Sequence, residues 1–140
     1  ILDSHVLIIG LGGLGSPVAM YLAASGVGKL TLVDDDLVEI SNLQRQIIHS
    51  EEDIGRLKVE SAADSLKAIN SACQIEIKTT RLDKSALKLV VEEADVVVDC
   101  SDNFATRFLL NEVTQATKTP LVSGAAIRSK SLDRPKIDNT

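Results

Sequence analysis

The chain has 140 residues, of which 44% are hydrophobic and 25% are charged, and this composition fits one globular domain with its own core. Its 15 Lys and Arg stand against 20 Asp and Glu, for a formal net charge of -5. That balance argues against a general binder of nucleic acid or of anionic membranes, because both need a basic face.

The cysteine count and the lack of targeting patterns indicate a cytoplasmic protein. Cys73 and Cys100 suit neither a disulfide framework nor a four-ligand zinc site and indicate a reducing compartment. No apolar run approaches the roughly 20 residues that span a bilayer, and the start does not resemble a signal peptide. We expect a domain over residues 1–128 and a polar tail over residues 129–140, in a sequence truncated at both ends.

The chain begins with a strand followed by a helix. Residues 5–9 form a short apolar run, typical of a strand buried on both faces. Leu14, Val18 and Leu22 then recur at helical spacing, and Gly26 provides a stop.

A second strand over residues 30–33 precedes an unusually long polar stretch, residues 35–55. Loops of that length are usually functional or disordered. A helix is predicted from Lys58, and Ile75 and Ile77 alternate as in an edge strand. The apolar face predicted for the helix comprises Val59, Ala62, Ala63, Leu66 and Ile69.

The second half repeats the alternation of helix and strand. Residues 83–94 predict a helix, residues 96–98 a buried strand, and residues 120–122 the start of a fifth strand. The helix between those strands has a predicted apolar face of Ala105, Phe108, Leu109, Val113 and Ala116. This order predicts an α/β fold with a doubly wound, mostly parallel, Rossmann-like sheet. We expect the fifth strand to be an uncovered edge that favours association.

A glycine-rich turn connects the first strand to its helix. Gly10, Gly12, Gly13 and Gly15 fit the G-x-G-x-x-G pattern, which allows a close backbone approach to phosphate at a helix N-terminus. Asp34 follows the second strand about twenty positions later, where a carboxylate can bind ribose hydroxyls. This half-site suits NAD and ATP equally.

Basic residues beyond the turn favour a triphosphate. A loop arginine such as Arg45 or a helix-start lysine such as Lys58 usually faces solvent when it stands alone. Their placement together beside a glycine turn favours phosphate binding, because both can neutralise phosphate oxygens. Asp102 follows the fourth strand and could hold magnesium, although Asp102 or Ser101 could instead cap the next helix.

Three other reactive side chains have weaker cases. Cys100 directly follows a Val-rich strand, which favours a small buried thiol over a nucleophile. His5 and His49 have no companion at metal-ligand spacing, and we assign them no function.

With these residues assembled, the chain resembles the ThiF/MoeB/HesA family, bacterial relatives of the ubiquitin-activating enzymes, and especially its molybdopterin-synthase adenylyltransferases. The resemblance covers residues 4–128. It rests on the glycine turn, Asp34, the motif of residues 41–46, Lys58, and the motifs of residues 99–103 and 123–128.

The resemblance implies an ATP-dependent adenylyltransferase with Arg45, Lys58 and Asp102 as its catalytic residues. Asp34 would hold the ribose, and Asp102 would hold Mg²⁺ on the phosphates. The full implied set of ATP-binding residues is Gly10, Gly12, Gly13, Gly15, Asp34, Ser41, Asn42, Leu43, Gln44, Arg45, Lys58, Asp102 and Asn103.

The family's reaction adds AMP to the C-terminal carboxylate of a ubiquitin-like sulfur-carrier protein with a Gly-Gly tail, in molybdopterin or thiamine biosynthesis. The resemblance also implies a homodimer. Many relatives bind zinc through Cys-x-x-Cys pairs, for which this chain has no ligands. Two alternatives stay open: an NAD-dependent oxidoreductase, and a noncatalytic module that binds a carrier protein.

Overall fold

The computed structural model describes residues 3–40, 43 and 48–125. Its five strands are β1 (His5–Ile9), β2 (Lys29–Val33), β3 (Gln74–Lys78), β4 (Val96–Asp99) and β5 (Leu121–Ser123). Its helices are α1 (Gly15–Ala24), α2 (Lys58–Ile69), α3 (Lys84–Glu93) and α4 (Phe104–Thr117). The strands form one parallel sheet in the order β3-β2-β1-β4-β5. The predicted Rossmann-like α/β fold is therefore confirmed.

Helices cover both faces of the sheet. Successive side chains of a strand point to opposite faces, so Val6 and Ile8 of β1 pack with α1 and α2, whereas Leu7 and Ile9 pack with α3 and α4. Because β1 is covered on both sides, it reads as a continuous apolar run rather than an alternating one.

The predicted apolar face of α4 is confirmed for Val113, which is buried, and for Leu109, which packs against the core, but it is wrong for the other three residues. Phe108 is 65% exposed, and Ala105 and Ala116 are also exposed. Besides Val113, the buried residues of α4 are Leu110 and Thr114, which were not predicted. Adjacent apolar residues in the middle of α4 fit two neighbouring helical faces equally well, and packing against α3 selects the face that contains Leu110. Ile69 at the end of α2 is likewise 40% exposed, outside the buried face.

The described part of the long loop folds back on itself. Leu37 forms an antiparallel bridge with Leu57, and the Val38 amide donates to the Arg56 carbonyl at 2.8 Å. A short 3-10 helix, Glu51–Asp53, lies between them. This arrangement brings the first residue of α2 next to the carboxyl end of β2.

The sheet has β3 at one edge, as predicted, and β5 at the other edge among the described strands. The predicted tail, residues 129–140, lies outside the described residues. Within the described part of the chain, no helix has the length and apolar character to cross a bilayer.

Candidate nucleotide site

The site lies where the winding direction of the sheet reverses. The chain proceeds from β1 outward to β3, then crosses to β4 on the other side of β1. In open parallel sheets, ligands bind at this switch point, beyond the carboxyl ends of the strands. A pocket of about 920 Å³ opens there. The loops that follow the first four strands all contribute to its lining.

The glycine turn requires glycine at two positions. Gly10 has a φ of +96°, and a Cβ there would lie 2.8 Å from the Cys100 carbonyl oxygen. A Cβ on Gly15 would overlap the carbonyl oxygen of Gly10. The turn therefore packs directly against the backbone after β4, while Gly10, Gly12 and Gly13 line the pocket.

The N-terminus of α1 lies at the pocket through Leu14 and Pro17, although the Ser16 amide already donates to the Gly12 carbonyl at 3.1 Å. No side chain among the described residues caps this helix, and its first turn holds no acidic residue. Helix N-terminal amides of this kind are suited to binding anions.

Asp34 connects the end of β2 to the glycine turn. Its Oδ2 accepts a hydrogen bond from the Leu11 amide at 2.7 Å, and its Oδ1 accepts one from the Asp36 amide at 2.8 Å. Burial raises the pKa of Asp34, although these two hydrogen bonds and the Lys58 charge oppose the rise. The carboxylate is held in one orientation at the pocket wall.

Lys58, predicted at a helix start, is the first residue of α2, and it is buried. The residue is 6% exposed, and its Nζ lies 3.7 Å from a carboxylate oxygen of Asp36. The side chain of Asp36 is itself 70% exposed. Lys58 lines the same pocket as the glycine turn. A buried ammonium needs close anions to offset its lost hydration. The contact to Asp36 is long and its carboxylate is exposed, so Lys58 can accept a further anionic group.

The segment after β4 supplies the opposite wall of the pocket. Asp102 and Asn103 both line it. The helix-capping alternative proposed for Ser101 and Asp102 is wrong, because Asn103 is the N-cap of α4 and accepts from the Thr106 amide at 3.0 Å. The Asp102 carboxylate forms no hydrogen bond or ion pair with any described residue.

The structure thus brings seven of the predicted residues to one pocket: Gly10, Gly12, Gly13, Asp34, Lys58, Asp102 and Asn103. Gly15 is buried and does not line it. Leu43 is half-buried, and its amide donates to the Ile40 carbonyl at 3.3 Å; it does not line the pocket. The other members of the predicted loop motif lie outside the described residues: Ser41, Asn42, Gln44 and Arg45.

Sequence reasoning missed the contribution of the loop after β3. Arg81 lines the pocket, with its Nε 3.8 Å from a carboxylate oxygen of Asp35. Thr80, Leu82 and Leu87 lie on the same wall. The available signal was positional, since the loop follows a parallel strand at the same edge as the other three loops.

Two of the three other side chains considered from sequence, Cys100 and His49, are buried. Cys100 is 7% exposed, and burial together with the nearby Asp99 charge raises the pKa of its thiol to about 12. The prediction that Cys100 is buried is confirmed, and the raised pKa makes the reactive thiolate scarce at neutral pH. His49 is 6% exposed, its Nδ1 lies 2.7 Å from the Ser61 hydroxyl, and its Nε2 has no hydrogen-bond partner among the described residues.

This topology, with a glycine-rich turn at its switch point, places the chain in the class of Rossmann-like α/β domains. The chain belongs to the ThiF family, whose family model matches residues 1–136.

Similar proteins include two from Escherichia coli. The chain is 53% identical over 126 residues to the molybdopterin-synthase adenylyltransferase, covering 90% of this chain and 51% of that protein. It is 51% identical over 127 residues to the sulfur carrier protein ThiS adenylyltransferase, covering 91% and 51%. The chain therefore spans about half the length of these relatives.

The fold also matches a solved structure of an ATP complex. The crystal structure of the Escherichia coli tRNA N6-threonylcarbamoyladenosine dehydratase, TcdA, with ATP aligns with a TM-score of 0.83 and 29% sequence identity. The alignment covers 87% of this chain and 51% of that one.

Proposed function

We propose that this chain is the ATP-binding half of an adenylyltransferase that activates the C-terminal glycine carboxylate of a ubiquitin-like sulfur-carrier protein. The observation that carries the proposal is the buried Lys58, which lines the same pocket as the glycine turn and Asp102. The two relatives that are about half identical to this chain are adenylyltransferases by name, and one of them acts on a sulfur carrier.

A polyphosphate suits the charge distribution of the pocket. Lys58 supplies a cation whose nearest carboxylate, that of Asp36, is 3.7 Å away, and phosphate oxygens would offset the cost of burying it. The glycine turn adds backbone N–H donors to the same pocket through Gly12 and Gly13. NAD has a less favourable fit, because a hydride-transfer site gives no reason for a buried lysine here.

The remaining predicted contacts, except that of Leu43, belong to this proposal. Asp34 would accept hydrogen bonds from the ribose hydroxyls, with Gly13 against the nucleotide. Asn42 and Arg45 of the loop motif would bind the phosphates, with Ser41, Gln44 and Asn103 as further nucleotide contacts. Leu43 does not line the pocket, so its predicted contact is not part of the proposal.

Magnesium fits the free carboxylate of Asp102. Mg²⁺ prefers oxygen ligands and is usually held by one or two carboxylates together with substrate phosphates. Asp102 lines the pocket, and its carboxylate has no hydrogen bond or ion pair with another described residue. When bound, the ion would supply positive charge to the phosphate oxygens.

The reaction needs positioning and charge neutralisation rather than a general base. A terminal carboxyl group has a pKa of about 3.3 to 3.7 and is already ionised at neutral pH. One carboxylate oxygen attacks the α-phosphorus of ATP, the bond from that phosphorus to the bridging oxygen breaks, and pyrophosphate leaves. The barrier is the approach of one anion to another and the charge that develops on the leaving group. The positive charges of Lys58 and Arg45 would lower both contributions to the barrier.

The proposed assembly is a homodimer that receives a carrier with a Gly-Gly terminus. Exposed aromatic side chains on α4 support an interface: Phe104 is 83% exposed and Phe108 is 65% exposed. The edge strand β5 offers a further site of association.

The test is isotope exchange from labelled pyrophosphate into ATP by a polypeptide extended to the length of the relatives. We expect exchange only when a Gly-Gly-tailed carrier and Mg²⁺ are present. Arg45→Ala should lower it at least about tenfold, since a charge-assisted phosphate contact is lost. Lack of exchange with molybdopterin-type and thiamine-type carriers, together with unchanged ATP affinity in Arg45→Ala, would refute the proposal. Binding of carrier without any ATP requirement would favour a noncatalytic module.

A further inference from the structure

We propose that Arg107, acting through the buried carboxylate of Asp99, is a positioning residue that holds the segment carrying Asp102 in its binding conformation. The assignment of Asp102 to Mg²⁺ rests on the proposed function. The proposal that Arg107 holds this segment rests on a hydrogen-bond network that is separate from the nucleotide contacts.

The first part of the network is a tight turn closed by Asp99. This last residue of β4 is 7% exposed. Its Oδ1 accepts hydrogen bonds from the Ser101 amide at 2.9 Å and from the Ser101 hydroxyl at 2.6 Å. A buried carboxylate is costly unless it is hydrogen-bonded, so its burial stabilises the turned conformation of the next two residues.

The second part is the forked side chain of Arg107, in the first turns of α4. Its Nε donates to Asp99 Oδ2 at 3.3 Å, while its Nη2 donates to the Ser101 carbonyl at 2.8 Å. One rigid guanidinium therefore binds both the carboxylate that closes the turn and the backbone of the turn itself. A lysine would keep the positive charge, but it lacks the planar fork that makes these two contacts at once.

The third part is the glycine turn on the opposite side. A Cβ on Gly10 would lie 2.8 Å from the Cys100 carbonyl oxygen and 3.1 Å from the Ser101 nitrogen. The segment after β4 is therefore held between the backbone of Gly10 and the guanidinium of Arg107. On its far side, the Asn103 side chain accepts from the Thr106 amide at 3.0 Å.

These contacts fix the backbone on both sides of Asp102 and leave its carboxylate free among the described residues. A ligand group that is already oriented does not have to be ordered when the metal binds, so affinity is gained without any new contact. Arg107 side-chain atoms are 55% exposed, and Arg107 does not line the pocket. Its effect on Mg²⁺ would therefore be indirect.

The experiment measures two quantities in this chain, with Arg107→Lys and Arg107→Ala beside the parent sequence. The first is the exchange rate of the Ser101 and Asp102 amides without nucleotide, by NMR. The second is the Mg²⁺ concentration at half-maximal enhancement of ATP binding, by calorimetry. Lys84→Ala is the matched control, because Lys84 forms an exposed ion pair with α4 at 3.3 Å from Glu112 and lies outside the pocket lining.

We expect both Arg107 variants to speed Ser101 amide exchange by about tenfold, as a local opening becomes easier. The Mg²⁺ midpoint should rise about fivefold to tenfold, while ATP affinity without Mg²⁺ changes less than about twofold. In an Asp102→Asn background, Arg107→Ala should add almost nothing to the Mg²⁺ defect, since the two residues act as one unit. Lys84→Ala should match the parent chain in both measurements.

Two results would overturn the proposal. One is Ser101 exchange in Arg107→Lys that equals that of the parent chain, because the fork would then be unnecessary. The other is an additive effect of Arg107→Ala and Asp102→Asn on the Mg²⁺ midpoint. Failure of the parent chain to bind ATP with Mg²⁺ would instead refute the proposed function, and the exchange rates would still decide whether Arg107 restrains the turn.

Discussion

The Leu11 amide donates a 2.7 Å hydrogen bond to the Asp34 carboxylate, so the acidic residue after β2 also holds the glycine turn after β1. Asp34 therefore has a structural partner in addition to its proposed ribose contact. A substitution must be chosen to separate the two effects.

Asp34→Asn keeps the contact to the glycine turn, because its amide oxygen can still accept from the Leu11 amide, although its NH2 group cannot accept from the Asp36 amide. We expect the parent chain to bind ATP at least about fivefold more tightly than 2′-deoxy-ATP, and the variant to lose most of that preference. Competition binding with the two nucleotides measures it. The exposed neighbour Asp35 is the control, and Asp35→Asn should keep the preference. Equal binding of both nucleotides by the parent chain would contradict a ribose contact.

Lys58→Met removes the buried ammonium and keeps most of the aliphatic stem. ATP affinity should fall at least about tenfold, whereas the free energy of unfolding should stay the same or increase, because a poorly compensated buried charge is gone. Calorimetric titration and urea denaturation measure the two quantities. Lys67→Met, at an exposed position in the last turn of the same helix, should change neither. A structural role for Lys58 would appear as a loss of stability with unchanged affinity.

Gly10→Ala tests the close approach of the glycine turn to the segment after β4. Gly10 has a φ of +96° and no room for a Cβ, whereas Gly55 has a φ of +88° with nothing within 4 Å. We expect Gly55→Ala to cost about 1 kcal/mol in unfolding free energy from backbone strain alone. Gly10→Ala should cost about 3 kcal/mol or more, since a steric clash adds to the strain. Equal losses in chemical denaturation would show that the approach is not tight.

His49 should make the domain less stable in mild acid. Burial, with a smaller effect of the Lys58 charge, lowers the pKa of His49 below its ordinary value of 6.5. Below pH 6.5 the unfolded chain binds a proton that folded His49 still rejects, so the unfolding free energy should fall as the pH drops from 7 toward the lowered pKa. Urea denaturation across this range measures the fall. His49→Gln should flatten that part of the profile, and an unchanged profile would contradict the assignment.

Cys100 should resist alkylation in the folded chain. Its thiol pKa is raised to about 12 and the thiolate is the reactive form, so iodoacetamide at pH 8 should modify it at least about a hundredfold more slowly than in urea. Mass spectrometry of peptides follows the site. Rapid modification of folded Cys100 would instead indicate an accessible thiolate in the pocket.

Much of the site could be predicted from the sequence, because its glycines and Asp34 belong to local sequence patterns. The G-x-G-x-x-G turn, the acid after the second strand and the helix start at Lys58 each follow from spacing along the chain. The alternation of strand and helix predicts that they meet at one edge of the sheet.

Other features depended on packing, which has no local signature. Leu110 packs in one cluster with the buried residues of α3, and this contact selects the buried face of α4. The N-cap of α4 is Asn103 rather than Ser101 or Asp102. The sequence also does not predict the proposed restraint by Asp99 and Arg107. A carboxylate at a strand end and an arginine in a helix are common at protein surfaces, and only their burial and distances distinguish this pair.

The sequence by itself determined the order of elements, the glycine turn and the identity of the acidic and basic groups, since each is encoded by residues close together in the chain. Tertiary structure alone decided that Lys58 is buried, that Asp34 binds the Leu11 amide, and that Arg107 clamps the turn before Asp102. Burial and hydrogen-bond geometry arise from segments that meet only when the sheet has formed, and for that reason no single stretch of sequence contains them.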